Sequence, residues 1–414
     1  MRMTKKIKKF NVRVLFVIAF AITFWIAQNA NADYQKLHQF SALDSNGNLP
    51  EGSLINSGNT LYGMTYEGGI NDKGVIFKMD IDGNNYNNIF SFNITNGANP
   101  YADLTLSGST LYGMTLKGGT NNLGVIFKIE TNGADYNILH QFAGKQNDGA
   151  EPYGSLLLSG TTLYGMTSKG GNNDPAHAYG VVFKIDTDGG NYTNIHSFND
   201  FNSRDPRGSL TLSGTNLYGM TRRSIRGTIF RIDTQNYDFT ELYKFTTDNN
   251  IDGAYPYGNL CFTNNFLFGM TSSGGVSNKG VIFKIDSNGD NYTNLHQFTS
   301  GINDGGDSRS SLIIYSNSLA GMTYEGGINN DGVIFKIGLD GTDYMNLHEF
   351  TGGADGNNPH YNSLLEINGY FYGMTRWGGG SGKGMIFEQS ALIPEPGIIM
   401  ALSLLVIGIL RRNS

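Results

Sequence analysis

Apolar residues in this chain gather in short runs that return in a fixed order. One passage, Leu61–Lys78, reads LYGMTYEGGINDKGVIFK, and nearly the same string returns at Leu319–Lys336 as LAGMTYEGGINNDGVIFK. The runs have strand length and are bounded by Gly, Asn and Asp, the pattern of short β-strands joined by tight turns. A third passage shows four runs in succession: SLLLSG (Ser155–Gly160), LYGMT (Leu163–Thr167), GVVFKID (Gly180–Asp186) and YTNIHSF (Tyr192–Phe198). Between the third and fourth runs sit Asp82-Gly83, Asn132-Gly133, Asp188-Gly189, Asn288-Gly289 and Asp340-Gly341. Such pairs accept the positive φ that hairpin turns demand.

The triplet GMT begins at Gly63, Gly113, Gly165, Gly219, Gly269, Gly321 and Gly373, at intervals of 50, 52, 54, 50, 52 and 52. A string repeated at a fixed period describes architecture, and four antiparallel strands per unit predict a propeller blade. The last unit stops after its third strand, GMIFEQ (Gly384–Gln389), while YQKLHQF (Tyr34–Phe40) is a fourth strand with no unit before it. The expected fold is therefore all-β: a seven-bladed β-propeller over residues 33–390. Its N-terminal strand closes the last blade and leaves no open edge.

Composition adds limits. Gly numbers 57 and aromatics make up 12%, as many short strands and turns require. A single cysteine, Cys261, excludes an intramolecular disulfide. It aligns with Thr105, Thr211 and Ile313 of other units, so it reads as a buried small residue. The net charge of −6 hides six cations in residues 1–32 (Arg2, Lys5, Lys6, Lys8, Lys9 and Arg13), which leaves −12 on the rest. An acidic body speaks against nucleic acid as a partner.

The basic start is followed by an apolar run, Val14–Ile26, and by Ala30-Asn31-Ala32. That order predicts a secretory signal peptide over residues 1–32, cleaved after Ala32. At the other end, residues 391–414 hold Pro394-Glu395-Pro396, an apolar run Gly397–Leu410, then Arg411 and Arg412. The run spans about 21 Å against a bilayer core of about 30 Å, so it predicts a short transmembrane segment with its basic end in the cytoplasm.

This tail resembles the PEP-CTERM sorting signal of Gram-negative bacteria. The resemblance implies that Pro394, Glu395 and Pro396 are recognised by exosortase, a membrane protease-transpeptidase, with Arg411 and Arg412 completing the signal. It implies transient anchoring in the inner membrane, then release to the cell surface or extracellular matrix. The repeat in turn resembles the Gloeo-Verruco tandem repeats of bacterial surface proteins with a variable choice of anchor. LYGMT, the Gly-Gly doublet, GVIFK and the connector DGAEPYG (Asp148–Gly154) carry that resemblance from Tyr34 to about Glu388. Unit 4, TRRSIRGTIFR (Thr221–Arg231), departs from it by losing the doublet. The resemblance implies surface location and a propeller-like repeat, and no activity.

Candidate chemistry is sparse. His38, His140, His196, His296 and His348 recur at one place in the fourth strand, where other units have Phe90 and Tyr243. Replacement by aromatics says that the place wants a flat, part-buried ring, not a metal ligand. His177 and His360 stand off this pattern. DIDGNN (Asp80–Asn85) and DSNGDN (Asp286–Asn291) lack the spacing and the bidentate Glu of a calcium loop and read as hairpin turns. WGGGSGKGM (Trp377–Met385) lacks the Ser or Thr, the first Gly and the helix of a phosphate loop. With no Ser-His-Asp or Cys-His set, no catalytic residue, metal or cofactor is assigned.

With strands ordered from the axis outward, the Gly-Gly loops and the inter-blade connectors share one face. Most of these loops open on ordinary polar residues, such as Ser168-Lys169 and Ser272-Ser273. Three differ: Tyr66-Glu67, Tyr324-Glu325 and Arg376-Trp377, on blades 1, 6 and 7, which a closed ring makes neighbours. Either these residues pack loop against loop, or they form a ligand site, since aromatic faces beside charged groups suit sugars. The function expected is an exported, non-enzymatic surface or matrix propeller binding polysaccharide or a surface protein there. The alternative is a propeller enzyme acting on polysaccharide, a lyase or glycosidase, marked by a deep polar channel with two carboxylates about 5–10 Å apart.

Overall fold

The computed structural model describes residues 34–41, 46–172, 178–199, 203–223, 225–246 and 251–391. The leader, the tail holding Pro394, Glu395, Pro396, Arg411 and Arg412, and His177 lie outside the described residues. Seven four-stranded antiparallel sheets follow the seven GMT units. Blade 1 is typical, with Ile55–Ser57, Thr60–Thr65, Val75–Asp80 and Asn87–Ser91 side by side in chain order. In blade 3 the strands Leu157–Ser159, Thr162–Thr167, Val181–Asp186 and Thr193–Ser197 match the sequence expectation to within two residues.

The last blade takes its outer strand from the start of the chain. Tyr34–Gln39 pairs with Met385–Ser390, from Tyr34 opposite Gln389 to Gln39 opposite Met385. The apolar cluster at this seam joins Phe40 to Leu54, Leu61, Phe77, Met374 and Ile386.

The repeated GMT has a packing cause. Its glycine lies opposite the phenylalanine of the third strand, as Gly63 does opposite Phe77. A Cβ there would sit 2.4 to 2.9 Å from the Phe ring in all seven blades. The Phe ring thus crosses the blade over a position that only hydrogen can occupy.

The recurring histidines stack between blades. His38 lies on Tyr86, Phe90 on Tyr136, His140 on Tyr192, His196 on Phe239, Tyr243 on Tyr292, His296 on Tyr344 and His348 on Tyr34. Ring centroids are 3.7 to 4.2 Å apart at all seven seams.

Near the axis a second set of contacts laces the blades. The Ser53 N–H donates to Asp103 (2.5 Å), Asp103 N–H to Ser155 (2.9 Å) and Ser155 N–H to Ser209 (2.6 Å). Ser209 N–H donates to Asn259 (2.5 Å), Asn259 N–H to Ser311 (2.8 Å) and Ser363 N–H to Ser53 (2.7 Å).

Two features differ from expectation. Cys261 is part-buried, like every residue of Cys261–Thr263, because this first strand is the free edge of its sheet. Each connector also pairs with the Gly-Gly loop of its own blade, as Gly149–Ala150 does with Lys169–Gly170 and Asn48 with Glu67. Backbone pairing of this kind leaves little trace in side-chain pattern. The DIDGNN and DSNGDN stretches are hairpin turns closed by their own side chains, Asn85 on Asp80 and Asn291 on Asp286, each at 2.7 Å.

Candidate functional site

Every connector makes the same turn toward the axis. A positive φ of 47° to 58° at Leu49, Asn99, Glu151, Asp205, Tyr255, Asp307 and Asn358 sets it. Two residues later the chain presents Glu51, three tyrosines (Tyr101, Tyr153, Tyr257), two arginines (Arg207, Arg309) and His360. One backbone position thus carries four residue types, while the GMT triplet and the facing Phe never change.

Just inside this ring the backbones crowd together. A Cβ on Gly154 would lie 2.1 Å from the carbonyl oxygen of Gly208, and one on Gly208 2.3 Å from that of Gly258. Blade 7 carries an extra residue, Tyr361, whose ring meets Tyr101 at 4.9 Å and Tyr257 at 5.3 Å. Tyr361 therefore stands across the axis. The cavity it shares with Asp103, Ser155, Ser209 and Asn259 holds about 10 Å³, room for roughly one water. Tyr361 fills the axis at this level, and the part-exposed connector and loop residues around it on the loop face form a mouth.

The first residue of each Gly-Gly loop lines that mouth. Tyr66 packs edge-on against Tyr101 at 5.8 Å. Arg222 donates to the Tyr257 hydroxyl at 2.6 Å and to Asp205 at 2.9 Å. Asp205 also accepts from Arg207 at 2.9 Å, and Asp307 takes Arg309 through two nitrogens at 3.1 and 2.6 Å. Arg207 lies over the Tyr153 ring at 3.8 Å and Arg309 over Tyr324 at 4.4 Å. Carboxylates fix the edges of these guanidiniums and tyrosines support their faces.

Glu51 is wholly buried at the ring-closing seam. Its Oε2 is 2.7 Å from His360 Nδ1 and its Oε1 3.0 Å from Arg376. Arg309 lies 3.1 Å from His360 Nε2. Arginine can only donate, so Nε2 accepts and Nδ1 carries the proton given to Glu51. Burial, helped by Arg376, Arg309 and Arg207, holds His360 well below its ordinary value and thus neutral. Burial pushes the Glu51 carboxyl up to about 8, with Arg376 and Arg309 pulling the other way. Arg376 Nε is buried with no hydrogen-bond partner among the described residues. Of the axial carboxylates, Asp205 and Asp307 are engaged by arginines, Asp103 accepts from the Ser53 N–H and Glu51 has no exposed surface. Among the described residues no three His, Cys, Asp or Glu side chains are grouped to hold a metal ion.

The six loop residues singled out from sequence divide in two. Tyr66, Tyr324 and Arg376 turn into the mouth. Glu67, Glu325 and Trp377, one residue on, belong to the loop–connector pairing and take the alternate direction. Glu325 pairs with Lys279 at 2.6 Å, and Trp377 carries the Arg376 guanidinium at 5.2 Å. Sequence reasoning missed the connector ring. Its signal was variation at one fixed connector position, most visible where DPRGSL and DSRSSL replace EPYGSL.

The profile of the Gloeobacter/Verrucomicrobia repeat matches residues 23–176 and 145–330. The chain belongs to this repeat family. No curated protein matches it. The Gloeobacter/Verrucomicrobia repeat protein shares its fold with solved structures of low identity. An oligogalacturonate lyase from Vibrio parahaemolyticus has a TM-score of 0.54 at 8% identity, covering 87% of this chain and 94% of that one. An oligogalacturonate lyase in complex with manganese gives 0.53 at 10%, covering 87% and 93%. A puromycin-hydrolyzing peptidase of Mycobacterium tuberculosis gives 0.52 at 9%, covering 87% of this chain and 57% of its own. At such identities the likeness shows the propeller fold alone. No helix of the described residues is long and apolar enough to cross a membrane.

Proposed function

We propose that this repeat protein is exported, sorted to the cell surface or extracellular matrix by its C-terminal tail, and binds polysaccharide through the axial mouth. The observation that carries the reading is the connector position that varies from blade to blade inside an otherwise uniform repeat. The GMT glycine keeps one residue in all seven blades because its packing leaves room only for hydrogen, and the fourth-strand stack keeps to flat rings, whereas the connector position ranges over Glu, Tyr, Arg and His, as a ligand without sevenfold symmetry would ask. Tyr66 and Tyr324 offer flat apolar faces, and Arg222 and Arg376 offer donors, the two requirements of a sugar ring. Ala391 hydrogen-bonds to Gly369 in the turn between the first two strands of blade 7, at the end opposite the Gly-Gly loops.

A glycan array probed with the exported protein tests this. Retention should fall on Tyr66→Ala and Tyr324→Ala with the melting temperature held, and fall less on Trp377→Ala, which flanks Arg376. A protein that retains no glycan, or whose retention ignores these tyrosines, contradicts the reading. Mass spectrometry tests the export route: the surface-released chain should begin at Asp33 and end near Pro394–Pro396. An intact Ser414 would remove the sorting step.

A further inference from the structure

We infer that the saccharide taken by the axial mouth is an acidic one, bearing carboxylates of the uronic-acid type. The inference rests on the polysaccharide reading above and narrows it. Four of the eight arginines between residues 33 and 390 converge here (Arg207, Arg222, Arg309, Arg376). They face the carboxylates of Asp205 and Asp307, while burial raises the carboxyls of Glu51 and Asp103 toward the neutral form, so the mouth is positive in a body that carries −12. Such a reversal of sign attracts anions and repels none of the arginines' own partners.

The arrangement is also chemically particular. Arg207 and Arg309 are stacked on Tyr153 and Tyr324, and each is pinned on one edge by Asp205 or Asp307. A guanidinium held this way is already desolvated and oriented, so a ligand carboxylate meets a fixed fork. Arg376 is the incomplete member. It meets Glu51 at 3.0 Å, yet its Nε and Glu51 Oε1 both lack an aligned hydrogen-bond partner. A buried guanidinium N–H left open costs stability unless something fills it. The Arg376 side chain is 25% exposed, so a ligand carboxylate can meet its outer edge beside Trp377. The part-exposed tyrosines Tyr66 and Tyr324 would then lie against the sugar ring faces.

Affinity electrophoresis of the exported protein in gels containing polygalacturonate, the same polymer with its carboxyls reduced, dextran sulfate, or neutral dextran separates the outcomes. Polygalacturonate should retard the protein at least about tenfold more, by dissociation constant, than its carboxyl-reduced form, as charge-assisted hydrogen bonds require. Arg376→Lys, which keeps the charge but loses the fork, and Arg222→Gln, which leaves Asp205 its bond to Arg207, should each lose most of that preference. Both variants are checked by melting temperature, so that loss of binding is not loss of fold. Equal retardation by the reduced polymer overturns the carboxylate inference and leaves the polysaccharide reading standing. Stronger retardation by dextran sulfate overturns it in favour of a sulfated ligand. Absence of retardation by all four overturns both.

Discussion

Glu51 and His360, 309 residues apart, meet at 2.7 Å and tie the first blade to the last. Glu51 lies in the connector that follows the closing strand, and Arg376 of blade 7 joins the pair at 3.0 Å. The seam is thus closed twice, by strand pairing at the rim and by this polar contact at the axis. Glu51→Ala would strand a buried imidazole N–H and remove the partner of Arg376, a loss of about 1–3 kcal/mol for a buried donor left unsatisfied. Glu51→Gln retains an acceptor for His360 and should cost less. Urea unfolding of the two variants gives the comparison, and equal stability of Glu51→Ala and the parent would refute the account.

The rim closure has its own test. Removing Tyr34–Phe40 strips the outer strand from blade 7 and takes away the His348–Tyr34 stack and the buried Phe40. The exposed edge of Met385–Ser390 then offers unpaired backbone groups to other chains. Aggregation in light scattering, or a large drop in melting temperature, is expected. A shortened chain that melts like the parent would show that the ring does not depend on the borrowed strand.

Gly113→Ala should be costly although the change is one methyl group. Its Cβ would sit 2.5 Å from the Phe127 ring, which is itself fully buried. Overpacking of this kind costs about 1–3 kcal/mol. Combining it with Phe127→Leu, which withdraws the ring, should cost less than the two single changes added together. A double-mutant cycle by chemical denaturation measures the coupling.

His196 gives a pH dependence with a definite sign. Burial between Phe198 and Phe239 lowers it from an ordinary 6.5 to about 4. The unfolded chain therefore takes up this proton before the folded one does. The stability contributed is complete above pH 6.5 and is lost as pH falls from 6.5 toward 4. His196→Phe, the residue that blade 1 already uses at this place as Phe90, should flatten that part of the curve. Thermal unfolding between pH 4 and 8 shows whether it does, and an unchanged acid slope would contradict the assignment.

The periodic runs, the Asn-Gly and Asp-Gly turns and the unmatched strand at Tyr34–Phe40 were enough to specify seven blades and their closure. Each is a local property: a strand shows its two faces through alternate residues, and a hairpin shows its turn through two. The interchange of His, Phe and Tyr in the fourth strand likewise pointed to packing, because a stack needs only a flat ring. The axial site is of another kind. The neighbours of Glu51 are His360 and Arg376, and those of Tyr101 include Tyr361, all brought in by ring closure rather than by sequence separation. A more local pairing, of the Gly-Gly loop with the connector of its own blade, decides that Tyr66 points into the mouth while Glu67 does not, since it fixes which of two adjacent side chains faces inward. The one-residue insertion at Tyr361 is a small irregularity in the string, and only where seven connectors converge does an extra ring become the plug of the channel.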